Sequence, residues 1–209
     1  APLKENLAAG LLALSGWDAR QPLLDPFCGS GTLVIEAAQI LCDHAPGLNR
    51  HFSIEQLRLH DARLYDGLVT ALRERARQGM EKAPRGLIRA SDLDPHAMRL
   101  TAENLQTLGL SDDLVAMQTL DAVDAQPGGD TPGVLLANPP YNERVSIPVE
   151  HWRAIGATLR ERFGGWKVFL LTSDRGLPGQ LGLREDRKTP LFNGAIECRL
   201  FEFSMRQRG

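Results

Sequence analysis

Short apolar runs alternate with segments of helical periodicity along most of this 209-residue chain. Runs of this length and spacing, with helical segments between them, predict buried strands joined by helices. The predicted strands are Pro22–Asp25, Leu87–Ser91, Leu114–Leu120, Val134–Ala137, Trp166–Thr172 and Ile196–Phe203. The predicted helices are Pro2–Ser15, Ser30–Cys42, Asp94–Leu108 and Pro148–Phe163. This order is typical of a parallel sheet that carries helices on both faces.

The end of the chain departs from the parallel pattern. A turn-rich segment, Lys188–Gly194, directly precedes the last strand and predicts a closing antiparallel hairpin, which adds a seventh strand. The expected fold class is therefore α/β: a Rossmann-like, doubly wound, mostly parallel seven-stranded sheet with a closing antiparallel hairpin.

One stretch interrupts the alternation of predicted strands and helices. A compact crossover after the second helix needs only a short loop, but about forty residues separate His44 from Pro84. An arginine-rich, helix-like segment, Ile54–Gln78, occupies most of that stretch. We expect a helical insertion over about 44–84 within a single domain spanning 1–209, because no repeat or linker divides the chain.

The numbers and spacing of cysteines and histidines limit the classes of protein to which the chain could belong. Cys28, Cys42 and Cys198 are odd in number and scattered, which argues against a disulfide framework and predicts a reducing, cytoplasmic compartment. The five histidines show no ligand spacing, so no metal site is expected.

No apolar run reaches membrane-spanning length, and we expect no membrane partner. The first residue is Ala1 rather than Met, from which we expect a domain of a longer protein.

A glycine-containing loop follows the first predicted strand. Its sequence is Asp25-Pro26-Phe27-Cys28-Gly29-Ser30-Gly31-Thr32, and a helix comes next. Loops at this edge of an open α/β sheet bind nucleotides, and glycine lets the backbone approach the ligand closely. Val34 replaces the third glycine of the dinucleotide fingerprint, and the lysine of a phosphate-binding P-loop is missing. The loop therefore predicts a nucleoside-like ligand without pyrophosphate capture.

Two acidic residues end the next two predicted strands. Asp92 follows the second strand, where an acid can accept hydrogen bonds from both hydroxyls of a ribose. Asp94 is expected to cap the following helix, so Asp92 is the candidate for the ribose. Asp121 follows the third strand, where it could accept from an adenine amino group. Either acid alone is weak evidence, but together with the glycine loop they predict a nucleoside site.

The fourth predicted strand ends in Asn138-Pro139-Pro140-Tyr141. Proline lacks an N–H, so the strand ladder stops and nearby carbonyl groups stay available as acceptors. Two acceptors beside an aromatic ring suit a planar group that bears –NH2, such as a nucleobase. An Asn-Pro turn after a strand is the simpler explanation of these four residues.

With these segments assembled, the chain resembles the class I S-adenosylmethionine-dependent methyltransferases. The opening Pro2–Ala8, the glycine loop and the closing Leu191–Leu200 are similar to the bacterial RlmL-type ribosomal RNA guanine-2-amino methyltransferases. The resemblance implies S-adenosylmethionine as cofactor, 23S ribosomal RNA as substrate and a THUMP RNA-binding domain ahead of this one. It implies a cofactor site formed by Asp25, Phe27, Gly29, Gly31, Thr32, Asp92, Asp121 and Asn138. It also implies that Asn138, Pro139, Pro140 and Tyr141 hold the acceptor base and that Tyr141 stacks on it.

Several alternatives remain open at this point. Families that methylate adenine amino groups in DNA or RNA, or glutamine side chains in proteins, use the same kind of motif. A non-catalytic RNA-binding module with this fold is an alternative of a different class. The segment 50–89 carries nine basic and five acidic residues, a balance that suits an anionic polymer or merely a solvated face. The sequence does not predict the oligomeric state.

Overall fold

The computed structural model describes residues 3–140 and 147–207. Within these residues, six α-helices lie in the order α1 (Glu5–Ser15), α2 (Thr32–Leu41), α3 (Ala62–Lys82), α4 (Pro95–Thr107), α5 (Val149–Arg162) and α6 (Leu177–Leu181). Seven strands alternate with them: β1 (Leu23–Asp25), β2 (Ile88–Asp92), β3 (Val115–Thr119), β4 (Val134–Ala137), β5 (Lys167–Thr172), β6 (Arg187–Asn193) and β7 (Ile196–Ser204). The short helix α6 was not predicted from the sequence.

All seven strands form one sheet, in the order β3-β2-β1-β4-β5-β7-β6. The first five strands in this order are parallel, whereas β7 and β6 are antiparallel to their neighbours. The predicted fold class is therefore confirmed. Strand β1 lies between β2 and β4, so the chain leaves β1 in one direction and later returns to its other side. Ligands bind at such a switch point, outside the carboxyl ends of the strands.

The sheet separates two apolar layers. Leu23 packs with α1, α2 and α4 on one face, whereas Leu24 packs with α5 and α6 on the other. Along β4 the same alternation places Leu136 in the first layer and Leu135 in the second. This is the two-residue period of a strand that is buried on both faces. The core thus fixes the register of the strands whose ends form the candidate site.

The closing hairpin differs in detail from the prediction. The segment predicted to be turn-rich is mostly regular strand, because β6 pairs with β7 from Arg187 to Asn193. Pro190 is tolerated there because β6 is the edge strand and needs hydrogen bonds on one side only. The turn itself occupies two residues, and its Gly194 has φ +64°. Glycine adopts that conformation without steric cost.

The insertion after α2 contains a 3-10 turn, Ser53–Gln56, and helix α3. The helix-like segment expected over Ile54–Gln78 is divided in two, because Leu57 is extended and Asp61 starts a new helix as its N-cap. The Asp61 carboxylate accepts a hydrogen bond from the backbone N–H of Leu64 at 3.0 Å. The insertion therefore has its own start signal, independent of the core fold.

Helix α3 packs against the core through its C-terminal part. Ala76 is buried, and a Cβ atom at Gly79 would lie 1.8 Å from the carbonyl oxygen of Cys42, so only glycine permits this approach.

Among the described residues, no helix combines the length and apolar character needed to cross a membrane.

Candidate cofactor and catalytic site

The loop after β1 is tied to the end of β2. The Asp25 side chain is only 2% exposed, and its Oδ1 accepts a hydrogen bond from the backbone N–H of Phe27 at 3.0 Å. The backbone N–H of Gly29 donates to Oδ2 of Asp92 at 2.9 Å. The backbone N–H of Cys28 donates to the carbonyl of Ser91 at 3.1 Å. These bonds fix the loop against the neighbouring strand before any ligand binds.

Asp92 has a structural role in addition to its predicted one. Its second oxygen, Oδ1, accepts from the backbone N–H of Asp94 at 3.0 Å. Asp94 in turn accepts from the N–H of His96 at 2.8 Å, which confirms it as the cap of α4. A carboxylate has about four acceptor positions. Asp92 can therefore hold the loop and the start of α4 and still accept from a ligand.

Helix α4 supports the loop from the other side, through residues that the sequence did not reveal as part of the site. The Thr101 hydroxyl donates to the carbonyl of Gly29 at 3.2 Å, and the Asn104 amide donates to the carbonyl of Ser30 at 3.0 Å. Gly31 has φ +85°, and a Cβ there would lie 2.6 Å from Cγ2 of Thr101. Thr101 and Asn104 are three residues apart and therefore share one face of α4. This spacing is the only signal in the sequence that could have pointed to them.

A cavity of about 140 Å³ lies at the carboxyl ends of β1 and β4. It is smaller than the roughly 300–1,000 Å³ of pockets that enclose whole drug-sized ligands, so it suits one part of a larger molecule. Five predicted site residues line it together: Asp25, Phe27, Gly29, Thr32 and Asn138. Leu3, just before α1, also lines this cavity.

Asn138 presents an unsatisfied acceptor. Its Oδ1 atom is buried and has no hydrogen-bond partner among the described residues. Burying an amide oxygen without a partner costs about 1–3 kcal/mol. Next in the motif, Pro139 is buried and Pro140 is exposed. Tyr141, the predicted stacking residue, lies outside the described residues.

Asp121 lies apart from this cavity. Its Oδ1 accepts from the backbone N–H of Val123 at 2.9 Å and lies 3.0 Å from Nε2 of His151. The next residue on α5, Trp152, packs its ring 5.9 Å from that of Phe27. Neither His151 nor Trp152 was expected from the sequence. Their contacts depend on how α5 packs across the sheet, and no motif marks them.

Electrostatics single out Asp25. Burial raises its pKa to about 8, a backbone hydrogen bond from Phe27 opposes that shift, and the nearby Asp92 charge adds to it. Burial and the charges of Asp25 and Asp92 also raise the pKa of the Cys28 thiol well above its usual range. Cys28 is therefore protonated at neutral pH and is not poised as a nucleophile. A cationic ligand in the cavity would favour the ionised form of Asp25.

A larger cleft of about 770 Å³ lies among α1, α2, α4 and the segment 44–50. Of the predicted cofactor residues, Thr32 lines this cleft, whereas five line the smaller cavity. The smaller cavity is therefore the better candidate for the site. Within residues 3–140 and 147–207, no cluster of three or more His, Cys, Asp or Glu side chains could hold a metal ion.

Comparison with known proteins places the chain in a family. Residues 1–202 match the RMKL-like methyltransferase domain. The chain is 41% identical over 203 residues to the ribosomal RNA large subunit methyltransferase K/L of Shewanella baltica, and 42% identical over 215 residues to that of Methylococcus capsulatus. These alignments cover 95% and 98% of this chain but 28% of each relative. The chain thus spans under a third of the length of the curated relatives it matches.

Solved structures agree with this assignment. A crystal structure of SMU.472, a protein predicted to be a methyltransferase, in complex with SAH has a TM-score of 0.83 and 32% identity; the match covers all of this chain and 54% of that one. A protein from Listeria monocytogenes, described as a predicted N6-adenine-specific DNA methylase, has a TM-score of 0.85 and 29% identity over 98% of this chain and 52% of that one. The family match covers nearly the whole chain and the fold agrees with it, so the chain belongs to the RMKL-like methyltransferase domain family.

Proposed function

We propose that this domain transfers a methyl group from S-adenosylmethionine to the exocyclic 2-amino group of a guanine in 23S ribosomal RNA. The observation that carries the proposal is the buried Oδ1 of Asn138, which has no hydrogen-bond partner in the described part of the chain and lines one cavity with Asp25 and Gly29. An amino-group acceptor thus lies beside a loop suited to a nucleoside cofactor. The names of the relatives support ribosomal RNA as the substrate, and the resemblance to RlmL-type enzymes supports the guanine amino group.

The residues present fit the proposed cofactor. S-adenosylmethionine supplies a positively charged sulfonium with an electrophilic methyl group. Asp25 lines the cavity, and burial disfavours its charged form. A cation bound in the cavity would therefore stabilise that charged form. Asp92 would accept from the ribose hydroxyls, and Asp121 would accept from the adenine amino group. Gly29 keeps the loop free of a side chain where the cofactor would lie against it, whereas Gly31 lets the loop pack closely against Thr101.

Asn138 and Pro139 would act on the substrate amino group. The lone pair of a guanine amino nitrogen is delocalised into the ring, which makes the nitrogen a poor nucleophile. Hydrogen bonds from the –NH2 to the Asn138 Oδ1 and the Pro139 carbonyl would hold the group in place and favour a pyramidal nitrogen with a directed lone pair. Such positioning can contribute roughly 7–11 kcal/mol in favourable systems. Tyr141 would stack on the base once it is flipped out of its helix or loop.

The wider protein is part of the proposal. Because the relatives are more than three times as long as the aligned region, we propose that an RNA-binding domain of the THUMP type precedes this one. Such a domain would supply much of the affinity for RNA, since this chain has a formal net charge of only −2.

Adenine is the second candidate acceptor. The structural neighbour from Listeria monocytogenes carries a name that specifies adenine in DNA. An adenine amino group offers the same two N–H donors to Asn138 and Pro139, so the site geometry does not separate the two bases. The higher identity, 41–42%, to proteins named for ribosomal RNA favours RNA over DNA.

Nucleoside analysis tests the proposal. Ribosomal RNA from cells with and without the gene is digested, and the methylated nucleosides are identified by mass spectrometry. We expect N2-methylguanosine to be lost without the gene and restored by the wild-type gene. Loss of N6-methyladenosine instead, with N2-methylguanosine unchanged, would establish the adenine alternative.

Asn138→Ala tests the catalytic assignment in the same cells. We expect N2-methylguanosine to fall at least a hundredfold, because the amino group loses one acceptor, while calorimetry shows unchanged binding of S-adenosylmethionine. Asn138→Asp keeps an acceptor oxygen at the same position and is the matched variant, for which we expect partial activity. Normal methylation by a correctly folded Asn138→Ala protein would refute the mechanism.

A further inference from the structure

The first turn of α5 contacts Asp121, the residue predicted to bind the adenine amino group. Nε2 of His151 lies 3.0 Å from Oδ1 of Asp121, and the two side chains are 35% and 26% exposed. Both groups are thus partly shielded from water yet remain accessible to a ligand. This contact links the helix that follows the catalytic motif to the loop that follows β3.

Other bonds from α5 already hold the backbone of that loop. The Thr158 hydroxyl donates to the carbonyl of Val123 at 2.6 Å, and Nη1 of Arg162 donates to the carbonyl of Ala125 at 3.3 Å. Neither bond touches the carboxylate of Asp121. Of these three contacts from α5, the one made by His151 acts on the Asp121 side chain.

The hydrogen bonds of Asp121 show what that effect is. Oδ1 accepts a hydrogen bond from the backbone N–H of Val123, and Nε2 of His151 lies 3.0 Å from the same oxygen. Oδ2 has no hydrogen-bond partner within the described parts of the chain. Both contacts therefore act on the carboxylate through Oδ1, and neither involves Oδ2.

We propose that His151 is a positioning residue: its Nε2–H orients the Asp121 carboxylate so that Oδ2 accepts from the cofactor's adenine amino group. This inference rests on the proposed function, because it takes Asp121 as the adenine-binding acid. It requires the neutral tautomer of His151 with the proton on Nε2, or the imidazolium.

Two ligands separate this role from a structural one. S-adenosylhomocysteine carries the adenine amino group, and S-inosylhomocysteine carries an oxygen in its place. Calorimetry gives the affinity of each ligand for wild type, His151→Ala and His151→Gln. We expect His151→Ala to weaken S-adenosylhomocysteine binding roughly tenfold, as for one lost net hydrogen bond, and to leave S-inosylhomocysteine binding nearly unchanged. His151→Gln keeps an N–H at a similar reach and should restore most of the preference for adenine.

Arg153→Ala provides the matched control, since Arg153 is an exposed residue two positions along the same helix. We expect it to change neither affinity. An equal loss for both ligands in His151→Ala would overturn the positioning role and show a general structural one. If wild type binds neither ligand, the cofactor assignment itself fails, whereas selective wild-type binding with an unaffected His151→Ala variant refutes this inference alone.

Discussion

At the scale of single residues, Asp25 couples the candidate site to stability. Its pKa in the folded protein, about 8, lies above the ordinary value of 3.8. A carboxyl group with a raised folded pKa favours folding below its unfolded pKa, and that contribution is lost as pH rises through the folded pKa. Between about pH 4 and pH 8 the unfolded chain ionises Asp25 while the folded protein keeps it protonated, so the unfolding free energy falls across this range.

Asp25→Asn removes that titration and keeps an oxygen for the N–H of Phe27. We expect the unfolding free energy of the variant, relative to wild type, to rise steadily between pH 4 and pH 8. Urea denaturation at several pH values measures it. Asp130→Asn, at an exposed position, is the control variant for the loss of one negative charge. A constant difference between Asp25→Asn and wild type would contradict the raised pKa.

Single residues also show where sequence reasoning succeeds. Asp25 and Asp92 end recognisable strands and Asn138 directly follows one, so their meeting at one edge of the sheet could be predicted. Thr101 and His151 could not, because each acts through a contact with a segment distant in sequence. Thr101 meets Gly29 only through the packing of α4 on α2, and His151 meets Asp121 only through the crossing of α5 over the sheet.

At the scale of elements, the arginines of the insertion fall into two groups. Arg75 pairs with Asp43, and Arg77 pairs with two glutamates of its own helix. Arg58, Arg63 and Arg73 form no ion pair to any described residue. Exposed, unpaired arginines can neutralise phosphates of RNA, whereas paired ones are already partly compensated.

Replacing Arg58, Arg63 and Arg73 together by glutamine tests whether the insertion binds RNA. We expect weaker binding to ribosomal RNA and a logarithmic salt dependence reduced by about two, because each phosphate contact contributes roughly 0.7–0.9 to that slope. Filter binding at several salt concentrations measures both quantities. The double variant Arg75→Gln, Arg77→Gln is the matched control with a smaller expected effect. An unchanged slope in the triple variant would show that this face is merely solvated.

The predicted elements were most accurate where local signals agree. Helix α4 begins at Pro95 after its Asp94 cap and is followed by Gly109 with φ +71°, all of which the sequence indicates. The structure of the insertion was harder to predict. Its exposed half has no buried face that would require apolar residues at a regular spacing. Strand β6 was mistaken for turn because Pro190 is disfavoured in central strands, and only the sheet order shows that it lies at an edge.

At the scale of the whole domain, the candidate site joins both apolar layers. Leu33, which follows the glycine loop, belongs to the layer of α1, α2 and α4. Ala137, which precedes Asn138, belongs to the layer of α5 and α6, as does Trp152, whose ring packs near Phe27. A ligand that contacts the loop, Asn138 and Asp121 would therefore stabilise elements on both faces of the sheet.

We expect S-adenosylhomocysteine to stabilise the domain as one unit. At a concentration one hundred times its dissociation constant, the unfolding free energy should rise by about 2.7 kcal/mol. For a domain of this size that corresponds to roughly 5–11 °C in melting temperature. Scanning calorimetry should show a single transition that moves upward with the logarithm of ligand concentration, while methionine alone, which lacks the nucleoside, has little effect. Two transitions, of which only one responds, would show that the ligand contacts one layer and that Asn138 and the glycine loop do not share a site.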